Sequence, residues 1–517
     1  MDVRLLLDDA ARRHEGRPAI HCSGRSLTYR EVAAIQDRMA AALDAAGARE
    51  GDRVAAFFPN CHLFLAAHYA ALRSSLILMP MNLRLAGPET EAVLRRGGAR
   101  FLLGAPDRIE PIEAALAAGT SLGRPIAQDD GWRLVPAPTA IGAGAAVPEE
   151  GALLYFTSGS TGDPKGVLLT LGNLAAHAEM TLATLGFTPR DVWLHAAPMF
   201  HLADAWAIFT ATAAGSGQAF LPRWDGDEAL ALARSAGVTL TNLVPSMIPS
   251  FLDAAGWQAG GVPSLRLLLS GGAPISPSLP TLIEAVLGCE YAQTYGLTET
   301  SPFLTFSLLD EEERRLPPEE RRRIQGRTGR PAPGIALRVV VPAGAERFED
   351  VPADDATVGE VVVRGATVTP GYFGDAAATS EAFRGGWFHT GDLATIDARG
   401  SIQLVDRAKD IIISGGETIY SVEVERALLR HPEVREAAVF AVPDDRFGEA
   451  VRAAVVLGPG GAAGADDLAA FCRTRIAGYK CPRAFDLLAA LPRTGSGKID
   501  KRALREPHWR GRPRRIS

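Results

Sequence analysis

Between Thr28 and Leu43 the apolar residues Val32, Ile35, Met39 and Leu43 recur at three- and four-residue intervals, the spacing that lines one face of an α-helix. Thr28 and Glu31 ahead of them form a capping-box pattern, in which each side chain satisfies the other residue's backbone N–H. An amphipathic helix is predicted there. Further along, apolar β-rich runs occupy 52–58, 152–157, 238–244 and 265–270, and helical stretches occupy 171–185 and 226–236. That alternation predicts α/β layering around largely parallel sheets.

Two later strands, 401–405 and 411–413, flank Asp406-Arg407-Ala408-Lys409-Asp410, a charged interruption that suggests a hinge. The chain beyond it has room for a compact domain of about a hundred residues, a common domain size. It contains a loop at Gly458-Pro459-Gly460-Gly461 and Gly464, then a predicted helix over 466–477. The expected organisation is a large N-terminal domain of layered α/β subdomains over 1–406, a hinge at 407–410, and a small C-terminal α+β domain over 411–517. Residues 136–151, rich in Ala, Gly and Pro, read as a surface connection. Residues 310–323, dense in mixed charge, read as a solvated segment.

The length of 517 residues exceeds one compact core and suggests about two to four domains or subdomains. A net charge of −6 with interspersed signs gives no electrostatic footprint for nucleic acid, so small molecules or proteins are the expected partners. Cys22, Cys61, Cys289, Cys472 and Cys481 are scattered and never paired as C-x-x-C, which suggests neither a disulfide framework nor a zinc site. The opening residues lack the apolar core of a signal peptide, and no apolar run is long enough to span a bilayer. A soluble protein of a reducing, cytoplasmic compartment is expected.

Chemistry concentrates first in Tyr155-Phe156-Thr157-Ser158-Gly159-Ser160-Thr161-Gly162-Asp163-Pro164-Lys165-Gly166. A strand empties here into a hydroxyl-rich loop whose glycines let backbone N–H groups converge on an anion. Thr157, Ser158, Ser160 and Thr161 add hydroxyl donors, and Lys165 adds a point charge suited to phosphate. The loop is not a Walker A, because no Gly-Lys-Ser/Thr follows at the required spacing. A Ser/Gly surface turn is the alternative for the loop taken alone.

Further motifs follow in order. In Tyr295-Gly296-Leu297-Thr298-Glu299 the tyrosine offers a face to adenine, Thr298 a phosphate donor, and Glu299 a carboxylate for Mg²⁺, which needs only one or two from the protein. Ser270-Gly271-Gly272-Ala273-Pro274 follows a strand with little side chain, so a purine can approach its backbone. Asp392, after Trp387-Phe388-His389-Thr390-Gly391, suits the ribose hydroxyls, and Arg407 can donate to the same sugar. Leu491-Pro492-Arg493-Thr494-Gly495-Ser496-Gly497-Lys498-Ile499 places a lysine at the tip of a glycine-flanked loop.

In this order and at these separations, the motifs resemble the adenylate-forming superfamily of acyl-CoA synthetases, luciferases and peptide-synthetase adenylation domains, over about residues 10 to 506. Gly51-Asp52-Arg53-Val54, Gly359-Glu360-Val361 through Gly371-Tyr372, and Gly478-Tyr479-Lys480-Cys481-Pro482 support the resemblance. It implies ATP and Mg²⁺ as cofactors, a carboxylic acid as substrate, and coenzyme A as co-substrate. It further implies that Lys498 bridges carboxylate and α-phosphate while an acyl-adenylate forms. The small domain then turns about Lys409, withdrawing Lys498 and bringing Gly415-Gly416-Glu417 to a tunnel for the second nucleophile.

Thr418 stands where many relatives carry Asn. His201, in Pro198-Met199-Phe200-His201, matches the position that gates the carboxylate pocket, and the sequence after it departs from amino-acid-activating relatives. Candidate pocket walls are Trp206, Asn242, Val244, Ser246 and Thr300 to Phe303, whose apolar bias suggests a fatty, aryl or related hydrophobic acid. An amine or amino acid in place of CoA, giving an amide, stays open at this level, as does a non-catalytic nucleotide-binding relative. Arg446, Arg473, Arg475, Lys480 and Arg483 are available for a CoA phosphate. A homodimer is compatible with the sequence.

Overall fold

The computed structural model describes residues 1–115, 127–129, 131–137, 150–157, 164–254, 261–271, 279–342, 347–494 and 498–510. Strand residues alternate between two cores with the period of two that a pleated sheet imposes. Val54, Leu78, Leu153, Tyr155, Trp193, Phe220, Leu267 and Ala292 enter one shared cluster with residues of the helices Tyr29–Ala45, His62–Arg73, Leu171–Leu185 and Ala207–Ala214. Their neighbours Ala55, Phe57, Met79 and Leu154 face a second cluster against the helices Gly87–Gly97 and Pro106–Ala115. Leu194, Ala219, Leu268 and Tyr291 face a third, against the helices Gly226–Ser235, Ile248–Leu252 and Leu279–Leu287. Two sheets therefore sandwich one helical layer and carry a further helical layer on each outer face.

The first sheet has nine strands, in the order Arg330–Pro331, Phe303–Phe306, Glu290–Gly296, Leu267–Gly271, Leu240–Asn242, Val192–His195, Gly217–Phe220, Pro18–Cys22 and Arg25–Thr28. The six strands from Glu290–Gly296 to Pro18–Cys22 run parallel and the edges run antiparallel. The eight-stranded second sheet is parallel only from Gly151–Thr157 through Ile77–Pro80 and Arg53–Phe57 to Ala99–Gly104. A third sheet, centred on Ala336–Pro342, Gly359–Arg364, Trp387–Ile396 and Ile402–Arg407, is antiparallel throughout. The expected largely parallel character thus holds for sheet centres, while the outer strands and the third sheet pair antiparallel.

The capping box at the first long helix is present: Glu31 N–H donates to Thr28 Oγ1 at 3.1 Å, and Thr28 N–H to Glu31 Oε2 at 2.7 Å. The charged segment 310–323 departs from its solvated reading at Glu313. That carboxylate is 1% exposed and lies 2.7 Å from Arg330 and 2.9 Å from Arg399, so it is an internal tie. The connection 138–149 lies outside the described residues.

After Arg407 a single helical turn, Ala408–Asp410, leads into a fourth sheet built on Val434–Asp444 and Gly448–Leu457 with the hairpin Ile412–Ser414 and Glu417–Ile419. Ile412, Ile419, Val424, Leu428, Val451, Leu468 and Cys472 form its own core with the helices Ser421–Leu428 and Ala465–Arg473. The second of these ends four residues before the expected 477. The helix Lys501–Trp509 packs Leu504 with Phe440, Val456 and Leu491, in a separate cluster. The architecture is a large layered α/β domain followed by a small α+β one.

Candidate active site

The strands Leu267–Gly271 and Glu290–Gly296 run parallel in register, pairing Gly271 with Thr294, so their carboxyl ends open on the same side. Crevices outside such strand ends are where open α/β sheets place ligands. Gly271 has a packing requirement of its own: a Cβ there would meet Thr294 Oγ1 at 2.4 Å and its carbonyl oxygen at 2.6 Å. Gly296 is likewise fixed by packing, since a Cβ would sit 1.7 Å from the carbonyl oxygen of Pro302. Gly272, Ala273 and Pro274 lie outside the described residues.

Tyr295, the penultimate residue of its strand, is buried, and its hydroxyl donates to Asp392 Oδ2 at 2.8 Å. Asp392 comes from the third sheet, opposite Arg407 in register, and Arg407 Nε lies 3.1 Å from Asp392 Oδ1. Burial and the neighbouring carboxylate push the Tyr295 phenol well above its ordinary range. The Asp392 charge raises the Arg407 guanidinium. Glu360 steadies the turn before Asp392: it accepts Gly391 N–H at 3.1 Å and lies 2.8 Å from His389 Nδ1.

Thr298 and Glu299 follow in the single turn Thr298–Thr300, Thr298 half-buried and Glu299 8% exposed. Burial raises the Glu299 carboxyl; its own backbone N–H, the Tyr372 hydroxyl and the cations of Arg407 and Lys498 oppose this. Tyr372 donates to Glu299 Oε1 at 3.0 Å, and Lys165 Nζ lies 4.8 Å from the centre of the Tyr372 ring, a cation–π distance. Lys165 begins the strand Lys165–Thr170, paired with Thr157 at the end of Gly151–Thr157, so the phosphate-loop sequence is the connection of a β-hairpin. The Thr157 hydroxyl donates to the Lys165 carbonyl at 3.5 Å. Ser158, Gly159, Ser160, Thr161 and Gly162 lie outside the described residues.

Lys498 is brought to this group from the small domain. Thr494 N–H donates to its carbonyl at 2.8 Å, and Arg493 bridges to Ile499, which closes the loop base; Gly495 to Gly497 lie outside the described residues. Lys498 itself keeps accessible surface. Desolvation and then the Arg407 cation lower its ammonium to about 8, against the opposing carboxylates of Asp392 and Glu299. The structure thus gathers Lys165, Tyr295, Glu299, Asp392, Arg407 and Lys498 about one cleft.

Lys409 sits in the helical turn at the hinge, its ammonium lowered by burial and by Arg407. Gly415 and Gly416 have φ of +63° and +87° and form the exposed two-residue turn of the hairpin Ile412–Ser414 and Glu417–Ile419, the conformation that a tight hairpin demands. No described contact joins that turn to the cleft.

His201 precedes the short helix Leu202–Ala205, its ring 4.7 Å from Phe200. Of the candidate walls, Trp206 and Phe303 are buried against each other at 4.9 Å, with His177 5.5 Å from Trp206. Asn242 donates to the Ala203 carbonyl at 2.9 Å, while Val244 is half-buried and Ser246 exposed. Behind them, His195 Nδ1 lies 3.4 Å from Asp204 Oδ2, and Trp193 Nε1 donates to Asp204 Oδ1 at 3.1 Å. Sequence reasoning gave no role to this buried pair, to Glu360 or to Tyr372. Only the Gly-Tyr pair at 371–372 hinted at the last.

Residues 7–373 match the AMP-binding enzyme family and residues 423–498 match the AMP-binding enzyme C-terminal domain. The chain belongs to this family of adenylate-forming enzymes. A feruloyl-CoA synthase of Amycolatopsis sp is 38% identical over 488 residues, 94% of this chain and 95% of that one. Among solved structures, o-succinylbenzoate CoA synthetase from Bacillus subtilis, in complex with its acyl-adenylate intermediate, superposes with a TM-score of 0.79 at 29% identity, covering 96% of this chain and 97% of that one. An amide bond synthetase from Marinactinospora thermotolerans superposes with a TM-score of 0.81 at 26% identity, covering 97% and 99%. Among the described residues no helix is long and apolar enough to cross a membrane, and no group of three or more His, Cys, Asp or Glu could hold a metal ion.

Proposed function

We propose that this enzyme activates a hydrophobic aryl or fatty carboxylic acid with ATP and passes the acyl group to the thiol of CoA. The observation that carries the reading is the position of Lys498, whose ammonium feels Arg407, Asp392 and Glu299 across the domain boundary. In the first step a carboxylate oxygen attacks the α-phosphorus, the bond to the bridging oxygen breaks, and pyrophosphate leaves. Two anions must meet, so preorganised positive charge is the main requirement. Lys498 supplies it between carboxylate and α-phosphate, and Lys165 with the hairpin loop holds the outer phosphates. Asp392 and Arg407 take the ribose, and Tyr295 borders the adenine.

Glu299 fits a Mg²⁺ held mainly by phosphate and water, because it is a single carboxylate whose neighbour, the Tyr372 hydroxyl, can yield to a cation. That ion would neutralise charge on the leaving pyrophosphate. His201 borders the carboxylate, and Gly415-Gly416 reaches the thiol path after the small domain turns at Lys409. The higher identity to a relative named for a CoA thioester favours CoA over an amine.

The test incubates the chain with Mg-ATP and a panel including ferulate, benzoate and fatty acids, follows pyrophosphate, and identifies products with CoA or amino acids added. Acid-dependent pyrophosphate and a thioester are expected. Amide without thioester would replace CoA by an amine, and no acid-dependent pyrophosphate would sink the reading.

A further inference from the structure

Lys501 opens the helix Lys501–Trp509, three residues beyond Lys498, and its ammonium turns inward instead of toward solvent. Nζ lies 2.7 Å from Glu425 Oε1 and donates to Ser421 Oγ at 2.7 Å. Glu425 is 5% exposed, and its Oε1 also accepts Val439 N–H at 2.8 Å. Ser421, fully buried, gives its O–H to Asp406 Oδ1 at 3.0 Å and its N–H to Asp406 Oδ2. Asp406 belongs to the strand that ends in Arg407, on the other side of the hinge. On the same helix as Lys501, Arg505 Nη1 lies 3.4 Å from Asp410 Oδ1 in the hinge turn. Arg426 Nη2 donates across the boundary to the Leu404 carbonyl at 3.1 Å.

The parts of this network respond differently to a turn at 408–410. Lys501, Ser421 and Glu425 lie within the small domain and move together. Asp406 stays with the large domain and would lose both Ser421 donors. Its carboxyl and that of Glu425 are already pushed up by burial, with the Lys501 cation acting against the shift. A buried carboxylate left with only the Arg407 N–H of its three donors is costly, so the network favours one domain arrangement, the one that turns Lys498 to the nucleotide cleft.

We propose that Lys501 is a positioning residue for Lys498: through Ser421 and Asp406 it forms a buried latch across the hinge that holds the lysine loop at the cleft for adenylation and opens when the small domain turns away. The inference rests on the adenylation reading above but is tested first without any acid. Trypsin cleavage after Arg407 and Lys409 in the full-length chain, followed by mass spectrometry, reads hinge opening directly.

Lys501→Met and the milder Ser421→Ala are expected to speed that cleavage about tenfold, in the range of ordinary coupling between sites, while Lys501→Arg stays near the parent chain. With an acid found by pyrophosphate release, Lys501→Met loses about tenfold in adenylation and keeps thioester formation from supplied acyl-adenylate within about twofold. Circular dichroism checks folding, and Ser421→Ala carries the test if Lys501→Met does not fold. Unchanged hinge cleavage in folded variants, or an equal fall in both half-reactions, overturns the latch. A panel without any active acid counts against the proposed activity and leaves the cleavage comparison intact.

Discussion

Asp392 and Lys498 bring opposite charges to one cleft, but they are anchored in contrasting ways. Asp392 sits in a ten-residue strand, paired in register with Arg407 and bonded to Tyr295, so three elements of the large domain fix it before any ligand arrives. Lys498 stands on a loop of the small domain whose base is closed by Thr494 and by the bridge from Arg493 to Ile499. On the proposed reading, binding geometry is built into the sheets, whereas the reactive cation is delivered by the small domain.

The most severe way to break this contrast is Lys498→Ala. Removing one preorganised donor of developing charge costs about a hundred- to a thousandfold, so adenylation measured by pyrophosphate exchange should fall by that factor. Thioester formation from supplied acyl-adenylate should persist; an equal loss in both would mean that Lys498 is as fixed as Asp392.

On the rigid side, Tyr295→Phe removes a buried donor from a carboxylate. A loss of about 1.5–3 kcal/mol in urea unfolding is expected, with weaker ATP binding. A neutral result would show Asp392 to be held by Arg407 alone.

Titration separates the two charges more gently. Burial and Arg407 lower the free enzyme's Lys498 to about 8, so the useful cation is complete below that pH and lost above it. The adenylation kcat/KM, which reports the free enzyme, should fall about tenfold per pH unit above that point. Lys498→Arg, whose guanidinium stays charged, should remove the alkaline limb from whatever rate remains.

The smallest effect is expected at the hairpin of the small domain. At Gly415, with φ of +63° and Phe447 2.8 Å from a would-be Cβ, substitution by Ala should cost about 1 kcal/mol in stability. A cost well below that would show this turn to be softer than its geometry implies.

Much of the fold was legible because burial imposes periodicity. The helix after Thr28 and the strands leading to Thr157 and Gly271 could be read from spacing, a capping pair and apolar runs. Glu313 could not: its sequence neighbourhood is all charge, and its partners Arg330 and Arg399 lie far along the chain. The site followed the same rule. Lys165, Glu299 and Lys498, to which the proposed reading gives chemistry, stood out in the sequence by residue type and nearby motif. Tyr372 acts by touching Glu299 and Lys165 from another strand, and Glu360 by touching His389 and Gly391, and a linear motif records no such contact. Gly271 was singled out for a ligand's approach, and the Thr294 side chain and carbonyl require it as well.

Asp392 also carries an arithmetic of lone pairs. A carboxylate offers about four acceptor sites, and here the Tyr295 hydroxyl occupies one on Oδ2, while Arg407 Nε lies 3.1 Å from Oδ1 as an ion pair. On the proposed reading both oxygens keep room for a donor, one for each hydroxyl of a ribose. A 2′-deoxynucleotide would leave one of them vacant in a buried setting, and a site built to bond a hydroxyl strongly rejects the analogue lacking it.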